Sequence, residues 1–440
     1  MGNRSNTGKF VSGQSGNPSG RPKKSFITTE IMTKADKLVN PEKRPDDLKK
    51  EVDWIPFGSN NLFPQALAVL NRRSPVQRAI INSKTIYTTG KGYTTDDTKL
   101  LDYISNVNGR GESLTTVAQK LFLDQYIFGN SYLEIVRGEG FISLFHKDAS
   151  KARVKKSGDA ILFHSDWDKL NGNHGTSQKE KENIIEIPLY PKFKNVKGQL
   201  RSVMHFKSYE PEFNYYGVPD YIAAIDAAGI GYKTNKWNIS RLENGFQSSG
   251  ILLVSGDMSV DDANKLKEKF KEEFTGEENQ GKIMFIAKNL GGETETTFTP
   301  INSGNDGDWM DLHRQSTNDL VIAHGWFPAL AGIETAGKLG NSQEIRNAYQ
   351  IALNTVIQKE QVFLTHGFMR VLKDAGFNTD DLHIVNKPPV NMIDLIDMNM
   401  VVMKGEARSL AGLQVDDTDP RMKEFIKKDN GATDKPTGGN

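Results

Sequence analysis

The residues that come closest to a catalytic motif are 332–339, which read Gly-Ile-Glu-Thr-Ala-Gly-Lys-Leu. They nearly match the phosphate-binding pattern G-x-x-x-x-G-K-[ST], in which backbone N–H groups and a lysine hold phosphates while a hydroxyl binds Mg²⁺. Leu339 stands where that hydroxyl is required. The segment also follows a predicted helix, whereas a phosphate-binding loop follows a buried strand. It therefore does not predict nucleotide binding.

The remaining polar residues do not have the spacing of a catalytic or metal site. There is no cysteine, which excludes disulfides, thiol nucleophiles and cysteine zinc ligands. The adjacent aspartate pairs that begin at Asp96, Asp261 and Asp380 suit turns or helix starts, because neighbouring side chains project in different directions. The histidines show neither an HExxH motif nor pairs four residues apart; they are at 146, 164, 174, 205, 313, 324, 366 and 383. We therefore predict no enzyme, no metal and no cofactor.

Length and charge limit the class of protein. The 440 residues are enough for several domains, and the 56 basic and 55 acidic residues leave a net charge of +1. A protein that grips DNA tightly is usually more basic, because each phosphate contact adds to its affinity. No apolar run is long enough to cross a membrane or to form a signal peptide. We expect a protein of a reducing cytosol, without membrane contact.

The N-terminal segment Met1–Lys24 has a composition typical of disorder. It is poor in apolar residues and has five basic residues but no acid. Arg21, Lys23 and Lys24 are candidate contacts to DNA or to capsid or scaffold protein. The alternative is a solubilising arm.

The elements that follow are predicted from periodicity. Apolar residues at helical or alternating spacing predict a mixed α and β region. Helices are predicted at 63–68, 79–86 and 114–128, strands at 130–136, 141–145, 160–164 and 184–187, and an exposed loop at 166–182.

Two helices further along the chain have distinctive features. The first begins at Pro219 and ends near Gly245, and Ala223, Ala227 and Gly231 give it thin sides. Interior glycine costs about 1 kcal/mol of helix stability, so we expect close packing that offsets the cost, either with another subunit or within the chain. The second runs over 305–326 and is followed by the glycine-rich segment. A long helix then begins after Asn341 and ends at Gly376.

A compact α/β module is predicted between these two helices. Strands at 250–254 and 282–286 flank a helix over 259–274. The outer face of this helix is charged, which is typical of a solvated surface or of a docking surface. The candidate docking residues are Lys265, Lys267, Lys269, Lys271 and Glu272.

Three blocks of this sequence, in this order, resemble the portal proteins of tailed bacteriophages. The strand sequence GNSYLEIVR begins at Gly129, the sequence Tyr-Gly-Val-Pro begins at Tyr216, and Glu-Asn-Gly ends the first of the two helices. The third block spans the end of the second helix and the start of the long helix; its matching residues are Ile322, Ala323, Phe327, Pro328, Gly332, Ile333, Ser342 and Glu344. Trp326 and Phe327 replace the commoner Gly-Val, and the C-terminal part matches no motif.

The resemblance implies an α+β chain with the portal fold, which has an α/β wing, a helical stem, a small α/β clip, a long wing helix and a small helical crown. The implied boundaries are a disordered basic tail and lead-in at 1–49, the wing at 50–218, stem helix 1 at 219–246, the clip at 247–304, stem helix 2 at 305–326, a tunnel loop at 327–341, the long wing helix at 342–376, the crown at 377–428 and a disordered tail at 429–440.

The resemblance also implies a function. About twelve copies would form a ring at one capsid vertex, since cyclic repetition satisfies every subunit interface. Double-stranded DNA would be packaged and ejected through this ring, which would dock the terminase large subunit and a head-tail connector and contact capsid and scaffold protein. The protein would assemble in the host cytoplasm and reside in the virion. Glu334, Thr335 and Lys338 would face the DNA. The alternatives are a packaging-associated nucleotide-binding enzyme and a DNA-binding module that uses the basic tail.

Overall fold

The structure is a computed structural model that describes residues 52–170, 181–243, 250–255, 284–288, 295–300, 306–333 and 342–389, with a few positions between 403 and 423. The chain is α+β within these ranges, as predicted. The two predicted disordered tails and most of the predicted crown lie outside the described residues.

Four helices form the first part of the chain: α1 at Phe63–Arg73, α2 at Pro75–Thr89, α3 at Thr98–Ser105 and α4 at Leu114–Phe128. The bounds of α4 are those predicted, because both ends carry local signals. The Ser113 side chain accepts a hydrogen bond from the Thr116 N–H, and Gly129 ends the helix in the left-handed conformation, with φ +67°. The helices α1 and α2 extend beyond the predicted ranges.

Antiparallel sheets follow α4. Their strands are β2 Asn130–Gly138, β3 Phe141–Lys147, β4 Ala152–Val154, β5 Ala160–Phe163, β6 Ile185–Pro188, β7 Lys194–Val196 and β8 Gln199–Lys207. The largest sheet has four strands in the order β3-β2-β8-β7. A second sheet has the order β4-β5-β6. The strands β4, β7 and β8 were not predicted.

The prediction of an exposed loop at 166–182 is wrong for two residues near its start. Trp167 and Leu170 are buried, with 1% and 4% of their surface exposed. The Trp167 ring packs edge-on against Trp54, and its Nε1 donates to the Lys151 carbonyl at 2.9 Å. These residues form a small second core. Sequence analysis missed it, because polar residues surround this tryptophan in the sequence. Residues 171–180 lie outside the described part.

Helices are present in the two ranges predicted for the stem, and they pack against each other. We use the name stem helices for them as a label. They are α5 at Ile225–Glu243 and α6 at Asp306–Ala323. The first helix was predicted to begin at Pro219. Residues Asp220–Ala224 instead make a tighter 3₁₀ turn before α5 begins. The Tyr221 ring lies 4.8 Å from the His324 ring, so the start of the first helix meets the end of the second. The pair is therefore antiparallel.

Three strands that lie between these helices along the chain form a third sheet. They are β9 at Gly250–Ser255, β10 at Met284–Lys288 and β11 at Glu295–Pro300. Their order in the sheet is β10-β9-β11. The strand β9 pairs with β10 in parallel and with β11 in antiparallel orientation. The two predicted strands of the module are thus confirmed, and the predicted helix over 259–274 lies outside the described residues.

The predicted long helix is interrupted. After the short helix α7 at Pro328–Ala331, α8 spans Ser342–Ala352, one π turn spans Leu353–Ile357, and α9 spans Gln358–Asp374. The buried Ala352 and Ile357 are five residues apart. A π turn accommodates this spacing, whereas a regular α-helix would turn Ile357 away from the core.

A single large core joins these parts. Leu121 of α4, Leu133 of β2 and Phe368 of α9 belong to it and are fully buried. The strand β1 at Gly92–Thr94 pairs antiparallel with β12 at His383–Val385, which ties the end of the described chain back to its first helices. None of the helices described is long and apolar enough to cross a membrane.

Candidate functional site at the base of the paired helices

Lys84 of α2 is buried where the two stem helices meet the rest of the chain. Its side chain is 1% exposed. The Nζ atom lies 3.3 Å from Asp220 Oδ2 and 3.1 Å from the His324 carbonyl oxygen. It also lies 4.6 Å from the centre of the Tyr126 ring. One ammonium group thus binds the first residue of the 3₁₀ turn that leads into stem helix 1 and the residue that directly follows stem helix 2. We call the contacts of Lys84, Asp220 and His324 the junction.

Burial sets the electrostatics of the junction. It lowers the pKa of Lys84, and the attraction and hydrogen bond of Asp220 oppose that shift. Burial also raises the pKa of Glu360 on α9, whose Oε2 has no hydrogen-bond partner among the described residues. The charged form of Lys84 therefore depends on Asp220, because a buried ammonium without a partner would be costly.

The end of stem helix 2 is fixed by two further contacts to α2. The Nε2 atom of His324 lies 3.0 Å from Gln77 Oε1, which can only accept, so Nε2 carries the proton. Burial lowers the pKa of His324 well below its usual range, which keeps the ring neutral. Trp326 Nε1 donates to Ser83 Oγ at 2.8 Å. The tryptophan that departs from the common motif thus has a defined partner in this chain.

Two of the sequence motifs meet next to the junction. Asn130 of the GNSYLEIVR strand donates to the Gly217 carbonyl at 2.8 Å and accepts from the Gly217 N–H at 2.7 Å. A Cβ at Gly129 would lie 2.6 Å from the Pro219 nitrogen, and one at Gly217 would lie 2.6 Å from the Ser208 nitrogen. Both positions therefore need glycine, because the two backbones pass too close for a side chain.

The junction holds the bases of two helices against α2. No group of three or more metal-ligating side chains is present in the part of the chain that the structure describes. The contacts of Lys84, His324 and Trp326 all hold helix ends against α2. Their role is mechanical, since they fix the direction in which the stem helices leave the α/β part.

The predicted stem packing residues are described by the structure. Ala223 is exposed, whereas Ala227 and Gly231 are buried within the chain. A Cβ at Gly231 would lie 3.9 Å from Ser74 Oγ, so this thin side faces the turn between α1 and α2. The proposed role of the three residues in subunit packing stays a prediction.

The other predicted site residues lie outside the described residues and stay predictions. They are Glu334, Thr335 and Lys338 of the tunnel loop, Lys265, Lys267, Lys269, Lys271 and Glu272 of the clip, and Arg21, Lys23 and Lys24 of the tail.

Sequence analysis missed Lys84 and Glu360 as functional candidates. The available signal for Lys84 was its position on the apolar face of α2, four residues after the buried Ile80. A lysine on such a face needs a buried partner. The partners are 136 and 240 residues away along the chain, so the sequence did not identify them.

The family model described as "Phage portal protein" matches residues 83–387, well over half of the chain. This range begins in α2, next to Lys84, and includes both stem helices, the third sheet and β12. The chain belongs to the phage portal protein family.

Individual relatives are distant. An uncharacterized protein of Rickettsia bellii is 26% identical over 223 residues, which are 49% of this chain and 57% of that protein. The probable portal protein of Haemophilus phage HP1 is 23% identical over 154 residues, 34% of this chain and 44% of the relative. The chain thus spans about half the length of these curated relatives. A solved HK97 family phage portal protein from Corynebacterium diphtheriae is 10% identical, with a TM-score of 0.43 over 75% of this chain and 96% of that one.

Proposed function

We propose that this chain is the subunit of a ring-shaped channel at one capsid vertex, through which double-stranded DNA is packaged and ejected. The observation that carries the proposal is the family match over residues 83–387, which includes the junction and both stem helices. A closed ring of about twelve copies satisfies every copy of one interface without leaving an open end. The protein is a conduit and a docking platform, and its partner hydrolyses the ATP.

In this proposal the junction transmits position from the wing to the channel wall. Lys84 ties both stem helices to α2, so the helices keep one angle to the wing when DNA passes. The exposed Ala223 lies on the first stem turn, where its small side chain allows a neighbouring subunit to approach closely.

The tunnel loop would contact DNA weakly. Lys338 can attract a backbone phosphate and Glu334 can repel one, and Thr335 lies between them. Alternating charges around a ring give the moving duplex no deep electrostatic well. The loop would therefore limit slippage without fixing the DNA in place.

The partners follow from this role. The charged face that contains Lys267 and Lys271 would dock the terminase large subunit and later the head-tail connector. The wing would face the major capsid and scaffold proteins. Arg21, Lys23 and Lys24 would add contacts to DNA or capsid protein. Assembly would take place in the host cytoplasm, and the mature protein would reside in the virion.

The oligomeric state of the full chain tests the proposal. We expect a closed ring with a central channel, seen by electron microscopy of the purified protein, and a matching mass by mass photometry. Samples with and without co-expressed capsid and scaffold protein should be compared, in several buffers. A monomer at micromolar concentration under all of these conditions would refute the ring. ATP hydrolysis by the purified protein alone would instead favour a packaging-associated enzyme.

A further inference from the structure

A groove of about 610 Å³ lies between β8 and α9, away from the junction. Its floor is apolar and includes Ile161, Leu189, Val203 and Phe363. The aromatic ring of Phe206 on β8 packs against Phe363 on α9, with ring centres 5.7 Å apart, so the two elements that form the groove are held together. The groove is therefore a preformed surface feature.

At Val203 the edge of β8 forms an isolated parallel bridge with Leu189. Beyond Val203, no strand of the described residues lies beside this edge in the groove. The strand β7 pairs with β8 only from Gln199 to Arg201. The Tyr190 N–H donates to the Val203 carbonyl at 2.9 Å, which shows that this carbonyl faces away from β2. Carbonyl directions alternate along a strand, so the backbone groups of His205 and Lys207 face the same way.

These backbone groups have no partner from that side. Across the described ranges, no hydrogen bond reaches the backbone N–H or carbonyl of His205 or Lys207 from the groove. The side chain of His205 is already used, since its Nε2 donates to Asn130 Oδ1 at 2.9 Å. An unpaired strand edge beside a groove is the geometry that binds an added strand.

The charged residues that line the groove are basic. Lys207 and Arg370 are exposed and line it, and no lining residue is a carboxylate. The guanidinium of Arg370 lies 5.3 Å from the centre of the Tyr190 ring, so it is held at the opening. The carboxylate of Asp374, one helical turn beyond Arg370, accepts the Tyr190 hydroxyl. Tyr209, just past the end of β8, is 86% exposed and adds an aromatic surface.

We propose that this groove binds an extended acidic peptide segment of a partner protein, which pairs with the free edge of β8. Its apolar side chains would fill the floor, and its carboxylates would meet Arg370 on the α9 side. Period-two alternation places these two kinds of side chain on opposite faces of an added strand. The apolar floor favours a peptide over a nucleic acid, because charged phosphates do not pack against apolar side chains. The proposal is independent of the ring, because every contact comes from one subunit.

Peptide binding to the full-length protein tests the proposal. The probe is a fluorescein-labelled heptapeptide of alternating valine and aspartate, measured by fluorescence anisotropy. We expect saturable micromolar binding, and binding about tenfold weaker to Arg370→Glu, since reversing a charge at the contact replaces attraction with repulsion. The matched control Lys99→Glu changes an exposed lysine of α3 and should leave binding unchanged. Circular dichroism confirms that each variant is folded.

Two altered probes separate strand pairing from simple charge attraction. The same peptide with every backbone nitrogen methylated keeps its charges but cannot donate to β8, and it should not bind. A valine and lysine peptide should bind Arg370→Glu better than the original protein. Equal binding of the methylated peptide, equal binding of the lysine peptide to the original protein, or no binding up to about 1 mM would overturn the proposal. Binding of only a duplex oligonucleotide, or of only a second copy of this chain, would also overturn the proposal.

Discussion

The Nζ atom of Lys84 lies 3.1 Å from the main-chain oxygen of His324, so a buried ammonium on α2 caps the end of stem helix 2. The last carbonyls of a helix lack partners within the helix and carry partial negative charge. A lysine is well suited to this position, and Asp220 compensates its charge from the start of stem helix 1. One side chain therefore joins the two helices whose sequences are far apart.

Removing this side chain should loosen the junction. Lys84→Ala should lower the free energy of unfolding by about 2–4 kcal/mol, because it leaves a cavity as well as an unpaired carbonyl. Lys84→Met keeps most of the volume and should cost about 1 kcal/mol, the value of the lost hydrogen bonds. Chemical denaturation measures both.

Hydrogen exchange distinguishes a positioning role for Lys84 from general destabilisation. Under native conditions Lys84→Met should exchange faster at residues 320–326, while α4 keeps its protection. Equal acceleration in both places would show that Lys84 contributes stability without fixing the helix end.

The close contact of Gly217 with neighbouring backbone predicts that one added methyl group at this position strongly lowers stability. Gly217→Ala should lower the free energy of unfolding by about 2–3 kcal/mol, because its Cβ would meet the Ser208 and Gly129 backbones. The control is Gly109→Ala, where a Cβ meets nothing within 4 Å. Thermal unfolding of the two variants should differ clearly, and similar melting temperatures would contradict the close approach.

The half-buried histidine His205 should make stability depend on pH. Burial lowers its pKa to about 3, so the folded chain holds it neutral while the unfolded chain takes up a proton below its ordinary value. Its contribution is present above pH 6.5 and is lost as the pH falls toward 3, by up to about 1.4 kcal/mol per pH unit. Denaturant titrations at pH 7.5 and 5.0 should show a smaller difference for His205→Gln than for the original protein.

The charged face of the predicted clip helix should contribute to docking. Reversing Lys267, Lys269 and Lys271 to glutamate should leave ring formation intact and weaken partner binding, since surface charges affect association more than folding. A complementation assay for DNA packaging measures the effect. Unchanged packaging would identify this face as a solvated surface.

Lys338 should affect DNA and leave the fold unchanged. Lys338→Ala should preserve assembly and the ATP turnover of the terminase, and should lower DNA retention or packaging efficiency. The mild effect follows from weak contacts that are repeated around the ring. If the substitution instead abolished nucleotide binding by this protein alone, the loop would be a phosphate-binding site and the proposed function would be wrong.

Local signals explain which elements could be predicted. The ends of α4 follow from Ser113 and Gly129, and the strand after it follows from the β-favouring tyrosine, isoleucine and valine in GNSYLEIVR. Stem helix 1 was predicted to start as an α-helix, but the chain first makes a 3₁₀ turn, with Tyr221 buried and its hydroxyl bonded to the Ile127 carbonyl at 2.7 Å. That contact comes from a residue 94 positions away, so no local rule indicates it.

The sequence by itself determined the α+β class, the family, the long helices and half of the described strands, because capping residues, glycines and apolar periodicity act over a few residues. Only the tertiary structure decided the partners of Lys84, the meeting of Asn130 with Gly217 and the free edge of β8. These features depend on which distant segments become neighbours, and a buried charge or a close backbone contact is stable only once the surrounding chain has folded around it.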